Sequence, residues 1–127
     1  QYGVDLAYSG HSHIYERSYY IQRHTGLSDT FDPLTMAELN DANEAASGQG
    51  DEAYTQISRS GMDDKVVYTV AGNGGKVTYT TEGFPHPAHF FSQLEIGSVV
   101  IDVDASRLEA SFVDANGAVL DSFVMTR

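Results

Sequence analysis

The sequence predicts a β-rich α/β domain that closes in an antiparallel meander. Three observations carry that prediction. From Ser98 to Asp104 the apolar Val99, Ile101 and Val103 alternate with Ser98, Asp102 and Asp104, and Leu108, Ala110 and Phe112 alternate in the same way, which is the period of a half-buried strand. Val66-Val67-Tyr68-Thr69-Val70 is a short β-branched run bounded by Asp63-Asp64 and by the cluster Gly72-Asn73-Gly74-Gly75, as strands are. Against these stands one weak helical stretch, from Pro33 to about Ala46.

Taken in order, residues 3 to 9 read as a buried strand, because Val4, Leu6 and Tyr8 alternate with Gly3, Asp5 and Ala7. Ser9-Gly10-His11-Ser12-His13 follows directly. Two histidines separated by one residue project from a single bent piece of backbone and can converge on one small volume. Imidazole is the commonest side-chain metal ligand, and Gly10, with no Cβ, lets the chain turn sharply just before the pair. His11 and His13 are therefore candidate metal ligands; the other reading is a pair of surface histidines after a strand. The position favours a site, since ligands in α/β sheets lie at the carboxyl ends of strands. Beyond the loop, Tyr15 and Tyr19 are expected to pack. Glu16 and Arg17 are expected to form a local ion pair or to support an imidazole N–H, with no catalytic role.

Residues 21–60 read as an irregular insertion or a lid. Thr25 to Pro33 is turn-rich, and Asp32 before Pro33 is a helix start with a capping carboxylate and proline at the first helical position. Met36, Leu39 and Ala42 give only a thin apolar stripe, and Ser47-Gly48-Gln49-Gly50 ends it. The glycine cluster at 72–75 lacks the lysine and spacing of a nucleotide loop, so a tight turn near the site is expected of it. Val77 to Thr80 is expected to return briefly as a strand. His24 is expected at the surface, and His86 and His89 are expected to be surface or core histidines. For His86 and His89 the alternative is approach to the pocket of His11 and His13, with Pro85 and Pro87 holding His86 in an extended loop.

In residues 98–127, antiparallel strands are expected, with Asp104-Ala105-Ser106 as one turn and Asn116-Gly117 as a hairpin with positive φ at both central positions. The last strand carries Val119, Phe123 and Met125 with Asp121 on one face, Leu120 and Val124 on the other. Apolar residues on both sides make the meander an internal layer.

Composition bounds the function. Eighteen acidic residues against seven lysines and arginines give a formal net charge of -11, which repels a phosphate backbone and excludes nucleic-acid binding through a basic patch. If a phosphate group is the substrate, bound cations must attract it. The absence of cysteine removes thiolate catalysis, disulfides and a cysteine-based zinc site together. No apolar run reaches the ~20 residues of a membrane-spanning helix, so no membrane partner is expected. A chain of 127 residues suits one domain. It opens at Gln1, without an initiator methionine, and reads as cut from something longer.

Tyr2-Gly3-Val4-Asp5-Leu6 followed by Ser9-Gly10-His11-Ser12-His13-Ile14-Tyr15-Glu16-Arg17-Ser18 resembles the last motif block of the calcineurin-like metallophosphoesterases, most of all their purple-acid-phosphatase branch, where Gly-His-x-His is followed by Tyr-Glu-Arg. Val67 to Gly75 looks like the strand and glycine loop that come next in that family, and Gly97 to Arg127 is similar to its closing strands. The resemblance implies the C-terminal half of a two-sheet αββα sandwich, with residues 1–127 a single fragment of the catalytic domain. It implies a binuclear metal-dependent phosphoesterase as parent, with two divalent or mixed-valence ions of iron, zinc or manganese in that parent and, as the alternative for this fragment, no bound metal. His11 would ligate one ion and His13 its neighbour. The family's four other ligand blocks have no counterpart here, so the fragment is expected to be inactive alone and to need the missing N-terminal half of the domain. Failing that, its uncovered face, worth on the order of 10 kcal/mol at ~25 cal/mol per Å², is expected to drive self-association. An extracellular or periplasmic location follows from the resemblance only. The alternative functions are a non-catalytic β-rich binding module that keeps the histidine loop, and a structural β domain in which the motif is accidental.

Overall fold

Two four-stranded mixed sheets lie face to face in the computed structural model of the chain, which describes residues 4–55, 65–78 and 84–127. The first sheet is built from β1 (Leu6–Ser9), β2 (Tyr15–Ile21), β4 (Val66–Ala71) and β5 (His89–Gln93), in the order β1-β4-β2-β5. The second is built from β3 (Tyr54–Thr55), β6 (Gly97–Val103), β7 (Arg107–Asp114) and β8 (Val119–Thr126), in the order β3-β8-β7-β6. The β-rich character and the closing meander expected from the sequence are both present.

What positions the candidate site is the one parallel pair in the first sheet. β1 runs parallel to β4, from Leu6 opposite Val67 to Ser9 opposite Val70, and β2 pairs antiparallel on the other side of β4. The carboxyl ends of β1 and β4 therefore share one edge. The histidine loop leaves the first and the glycine loop leaves the second.

The core forms between the inner faces. Tyr20 and Val67 of the first sheet meet Ala110, Phe123 and Met125 of the second, with Ala46 and Tyr54 at the side and Leu6 and Leu108 packed against them. The alternation seen in the sequence is the reason: along β8, Asp121, Phe123 and Met125 are buried while Leu120, Ser122 and Val124 are half-buried. Burying one such aromatic side chain contributes about 2–3 kcal/mol.

Five expectations need correction. The strand expected over residues 3 to 9 is β1 (Leu6–Ser9) and is not buried: Val4 and Tyr8 are exposed and Leu6 is half-buried, because β1 is an edge strand paired only with β4 among the described residues. The helix predicted from Pro33 to Ala46 is a single turn, α1 (Pro33–Met36); Asp32 caps it through Leu34 N–H at 3.0 Å. It stops because the thin apolar stripe buries little, whereas the backbone beyond it finds better partners. Ala37 bridges Ile21, Glu38 N–H donates to Tyr20 O, and the Asn40 side chain closes a turn by accepting from Ala42 and Glu44. Of the Asn116-Gly117 pair only Gly117 is left-handed (φ 87°). Asp114 Oδ1 accepts from the Asn116 and Ala118 amides, and Gly117 N–H donates to Asp114 O, so the loop is a turn followed by a glycine bulge. Val77 and Thr78 are not strand, and residues 79–80 of that expected strand lie outside the described residues. Finally, the meander is not an internal layer: among the described residues Val100 and Val119 are 51% and 60% exposed on its outer face, and in β6 Ile101 and Val103 on the opposite face are exposed as well.

Three of the described strands were not legible: β2 and β5, since neither Tyr-Glu-Arg-Ser-Tyr-Tyr-Ile nor His-Phe-Phe-Ser-Gln alternates in polarity, and the two-residue β3, which lies in the segment read as irregular. Within the 21–60 segment, Ala46 and Tyr54 enter the core.

Candidate metal centre

The loop after β1 is a tight one. Ser12 N–H donates to Gly10 O at 3.1 Å, and His11 takes a left-handed backbone (φ 76°). For a residue with a Cβ that conformation costs roughly 1 kcal/mol or more and is kept where the surroundings demand it. The surroundings here are the glycine loop. A Cβ on Gly72 would overlap the Ser12 carbonyl oxygen and sit 3.3 Å from His11 N, so only glycine lets the two loops lie this close. Gly72 N–H donates to Ile14 O, and Thr78 N–H donates to His13 O at 3.1 Å. Asn73, buried, donates from its side chain to Glu95 O and holds the glycine loop in turn. The expected tight turn near the site is thus a clamp on the histidine loop.

His13 Nδ1 lies 2.9 Å from Thr78 Oγ1. In the tautomer in which Nδ1–H donates to the hydroxyl, the Nε2 lone pair is left for a ligand, the usual way a metal-binding imidazole is oriented. His11 is exposed and His13 half-buried. Among the described residues no group of three or more His, Cys, Asp or Glu side chains is placed to hold a metal ion. The donors of this loop suit a transition metal in kind. In number, two fall short of the three or four protein ligands that zinc sites use.

Beneath the loop, β2 carries its side chains to opposite faces. Tyr15 and Arg17 point inward. The Tyr15 ring stacks on Phe112 at 4.1 Å and 6° and its hydroxyl donates to Asp121 Oδ2 at 2.9 Å. Arg17 donates to both oxygens of Asp121, at 2.7 and 2.8 Å, and also to Ser47 O and the Tyr54 hydroxyl. The guanidinium lies between the rings of Phe90 and Phe123. Burial is the largest single influence on Arg17 and opposes its charge, but the Asp121 hydrogen bonds together with the charges of Tyr54, Asp121 and Tyr15 outweigh it and raise its pKa. Burial, and then the Asp121 carboxylate, push the Tyr15 phenol upward too. Tyr15 packs, as expected. The local Glu16–Arg17 pair does not form, because neighbours on a strand face apart.

Glu16 points away from the core between the sheets and sits beside His89 rather than the histidine loop, so the expected support of a loop imidazole is absent among the described residues. His89 Nδ1 lies 2.9 Å from Glu16 Oε1, yet off the direction of a ring N–H, so no directed hydrogen bond joins them. The His86 and His89 rings are 5.6 Å apart and His24 lies 6.5 Å from His86. Burial and then His86 push His89 down to about 4, and burial raises Glu16. His89 opposes Ser18, farther along β2 than Tyr15, so this cluster belongs to another part of the sheet.

Gly72 was visible in the sequence only as part of a turn, and Thr78 and Asp121 were not singled out as contributors. Asp121 did leave a signal, an acidic residue within the apolar face Val119, Phe123, Met125.

No family profile matches the sequence, and no curated protein matches it. Among solved structures, the chain is similar to a purple acid phosphatase isolated from yellow lupin (Lupinus luteus) seeds, at 21% identity and a TM-score of 0.66 over 98% of this chain. The chain spans 18% of the length of that protein. The likeness is one of fold.

Proposed function

We propose that the chain is the C-terminal part of a metal-dependent phosphoesterase, in which His11 and His13 supply two of the ligands of a binuclear centre and the remaining ligands come from the rest of the polypeptide. The observation that carries this reading is the Gly10-to-Ile14 loop at the shared carboxyl edge of β1 and β4, held by Gly72 and Thr78 with one imidazole already oriented. The fold likeness to a purple acid phosphatase supports it. The chemistry such ions supply is polarisation of a phosphoryl oxygen and activation of water. The chain's own residues hold and orient the nitrogens. The net charge of -11 gives a phosphate ester no other attraction.

The test compares the 127-residue chain with a longer polypeptide that includes the preceding region, each given Zn, Mn or Fe and a chromogenic phosphomonoester. Turnover is expected from the longer polypeptide, abolished by His11→Ala or His13→Ala, and only background from the chain alone. Turnover that survives both substitutions would sink the assignment.

A further inference from the structure

We propose that Asp121 is the positioning residue of the histidine loop: through Tyr15 and Arg17 it fixes the place from which His11 and His13 present their nitrogens. The proposal rests on the metal-centre reading above. Asp121 stands 106 residues from Tyr15 in the chain and on the other sheet. It is 2% exposed, and both its oxygens are saturated. Oδ2 accepts from the Tyr15 hydroxyl and Arg17 Nε, Oδ1 from Arg17 Nη2 and Gln49 Nε2. With no free lone pair toward solvent it is neither a base nor a ligand. It is a fixed point.

That fixed point acts over a short span. Tyr15 follows His13 by two residues, roughly 7 Å of extended backbone, and its ring is also trapped against Phe112. On its other side the loop meets Gly72 and Thr78. Residues 10–14 therefore hang between two anchors, and Asp121 is the one that decides how β2 is seated. Energetics point the same way. A buried ion pair contributes little to stability compared with apolar side chains of the same volume, and where such a pair is kept its best-attested use is to set register. Asp121 lies in the one strand face where a valine or leucine would have extended the apolar core.

The experiment follows zinc binding by the longer polypeptide, and the imidazole resonances of His11 and His13 by NMR in the 127-residue chain, each as wild type, Asp121→Asn, Tyr15→Phe and Met125→Ala. Met125 is a core residue of the same face of β8 and controls for lost stability alone. Zinc affinity at the loop is expected to fall about 3- to 10-fold in Asp121→Asn, less than the roughly 10- to 100-fold that follows loss of a group bonded directly to a metal ligand, because Asp121 acts through Tyr15 and Arg17. A smaller loss is expected in Tyr15→Phe, which folds with the ion pair intact, and none in Met125→Ala. In the metal-free chain, the His13–Thr78 contact and the slow amide exchange of residues 10–14 should weaken in the same order. Unchanged loop resonances and exchange in Asp121→Asn and Tyr15→Phe would overturn the positioning role. A zinc response of the longer polypeptide that His13→Ala leaves unchanged would instead overturn the metal reading, and the metal-free readout would still decide the role of Asp121.

Discussion

Replacing Arg17 by methionine isolates what holds the two sheets in register. The Arg17 and Asp121 side chains are both 0% exposed. The substitution removes both of the guanidinium's hydrogen bonds to the carboxylate and its bonds to Ser47 O and the Tyr54 hydroxyl. Asp121 keeps only Tyr15 and Gln49 as donors. An uncompensated buried charge costs about 3–5 kcal/mol, a large part of the roughly 5–15 kcal/mol that stabilises a domain. With a urea m-value of about 2 kcal/mol/M, the unfolding midpoint should drop by about 2 M. The double variant Arg17→Met, Asp121→Leu should regain at least half of that loss, because no charge is left stranded. Urea titrations followed by circular dichroism measure both. A single-variant loss below about 1 kcal/mol, or a double variant no more stable than the single, would refute the argument that the cost comes from a stranded carboxylate.

Other predictions follow from the same contacts. Gly72→Ala forces a Cβ onto the Ser12 carbonyl; it should cost about 1–3 kcal/mol, as overpacking does, and break the His13–Thr78 hydrogen bond, visible in the imidazole nitrogen shifts. His89, pushed down from 6.5 to about 4 by burial and then by His86, takes up a proton less readily folded than unfolded. The stability it contributes is whole above pH ~6.5 and is lost as pH falls toward 4. The shift corresponds to about 3 kcal/mol at full burial, and roughly half that for a ring that still meets solvent. Glu16, raised by burial and lowered by His86, offsets part of the loss just above its ordinary range. His89→Gln should therefore flatten the fall in urea midpoint between pH 6.5 and 4; an unchanged slope would exclude His89 as its source. At high micromolar concentration the isolated chain should self-associate through β6, which among the described residues pairs on one side only and exposes Val100, Ile101 and Val103. Added salt should strengthen the association by screening the net charge of -11. A strictly monomeric species in light scattering would count against it.

The run at 66–70 and the last two strands of the meander were legible because their burial alternates along the strand, whereas β1 and β6 were legible as strands although their alternating apolar residues are largely exposed. β2 and β5 were not. Arg17 and Ser18 are buried polar residues whose partners lie on other strands, so their burial leaves no local pattern. The helix at 33–46 failed for the converse reason: local capping signals were real at Asp32, but the tertiary partners of residues 37–46 outbid a weak stripe. The histidine pair was legible as a motif. Its clamp was not, since nothing in Gly72 or Thr78 taken singly points to residues 60 and more positions away.

By itself the sequence determined the class of the fold, the place of two candidate ligands at a strand end, and an acidic, cysteine-free composition. These depend on local periodicity, spacing and composition. Only the tertiary structure decided that Asp121 meets Tyr15 and Arg17, that Glu16 faces His89, and that the glycine loop grips the histidine loop. Such pairings follow from how two sheets are stacked and which strands are neighbours, and a contact between distant segments is a property of that packing rather than of either segment.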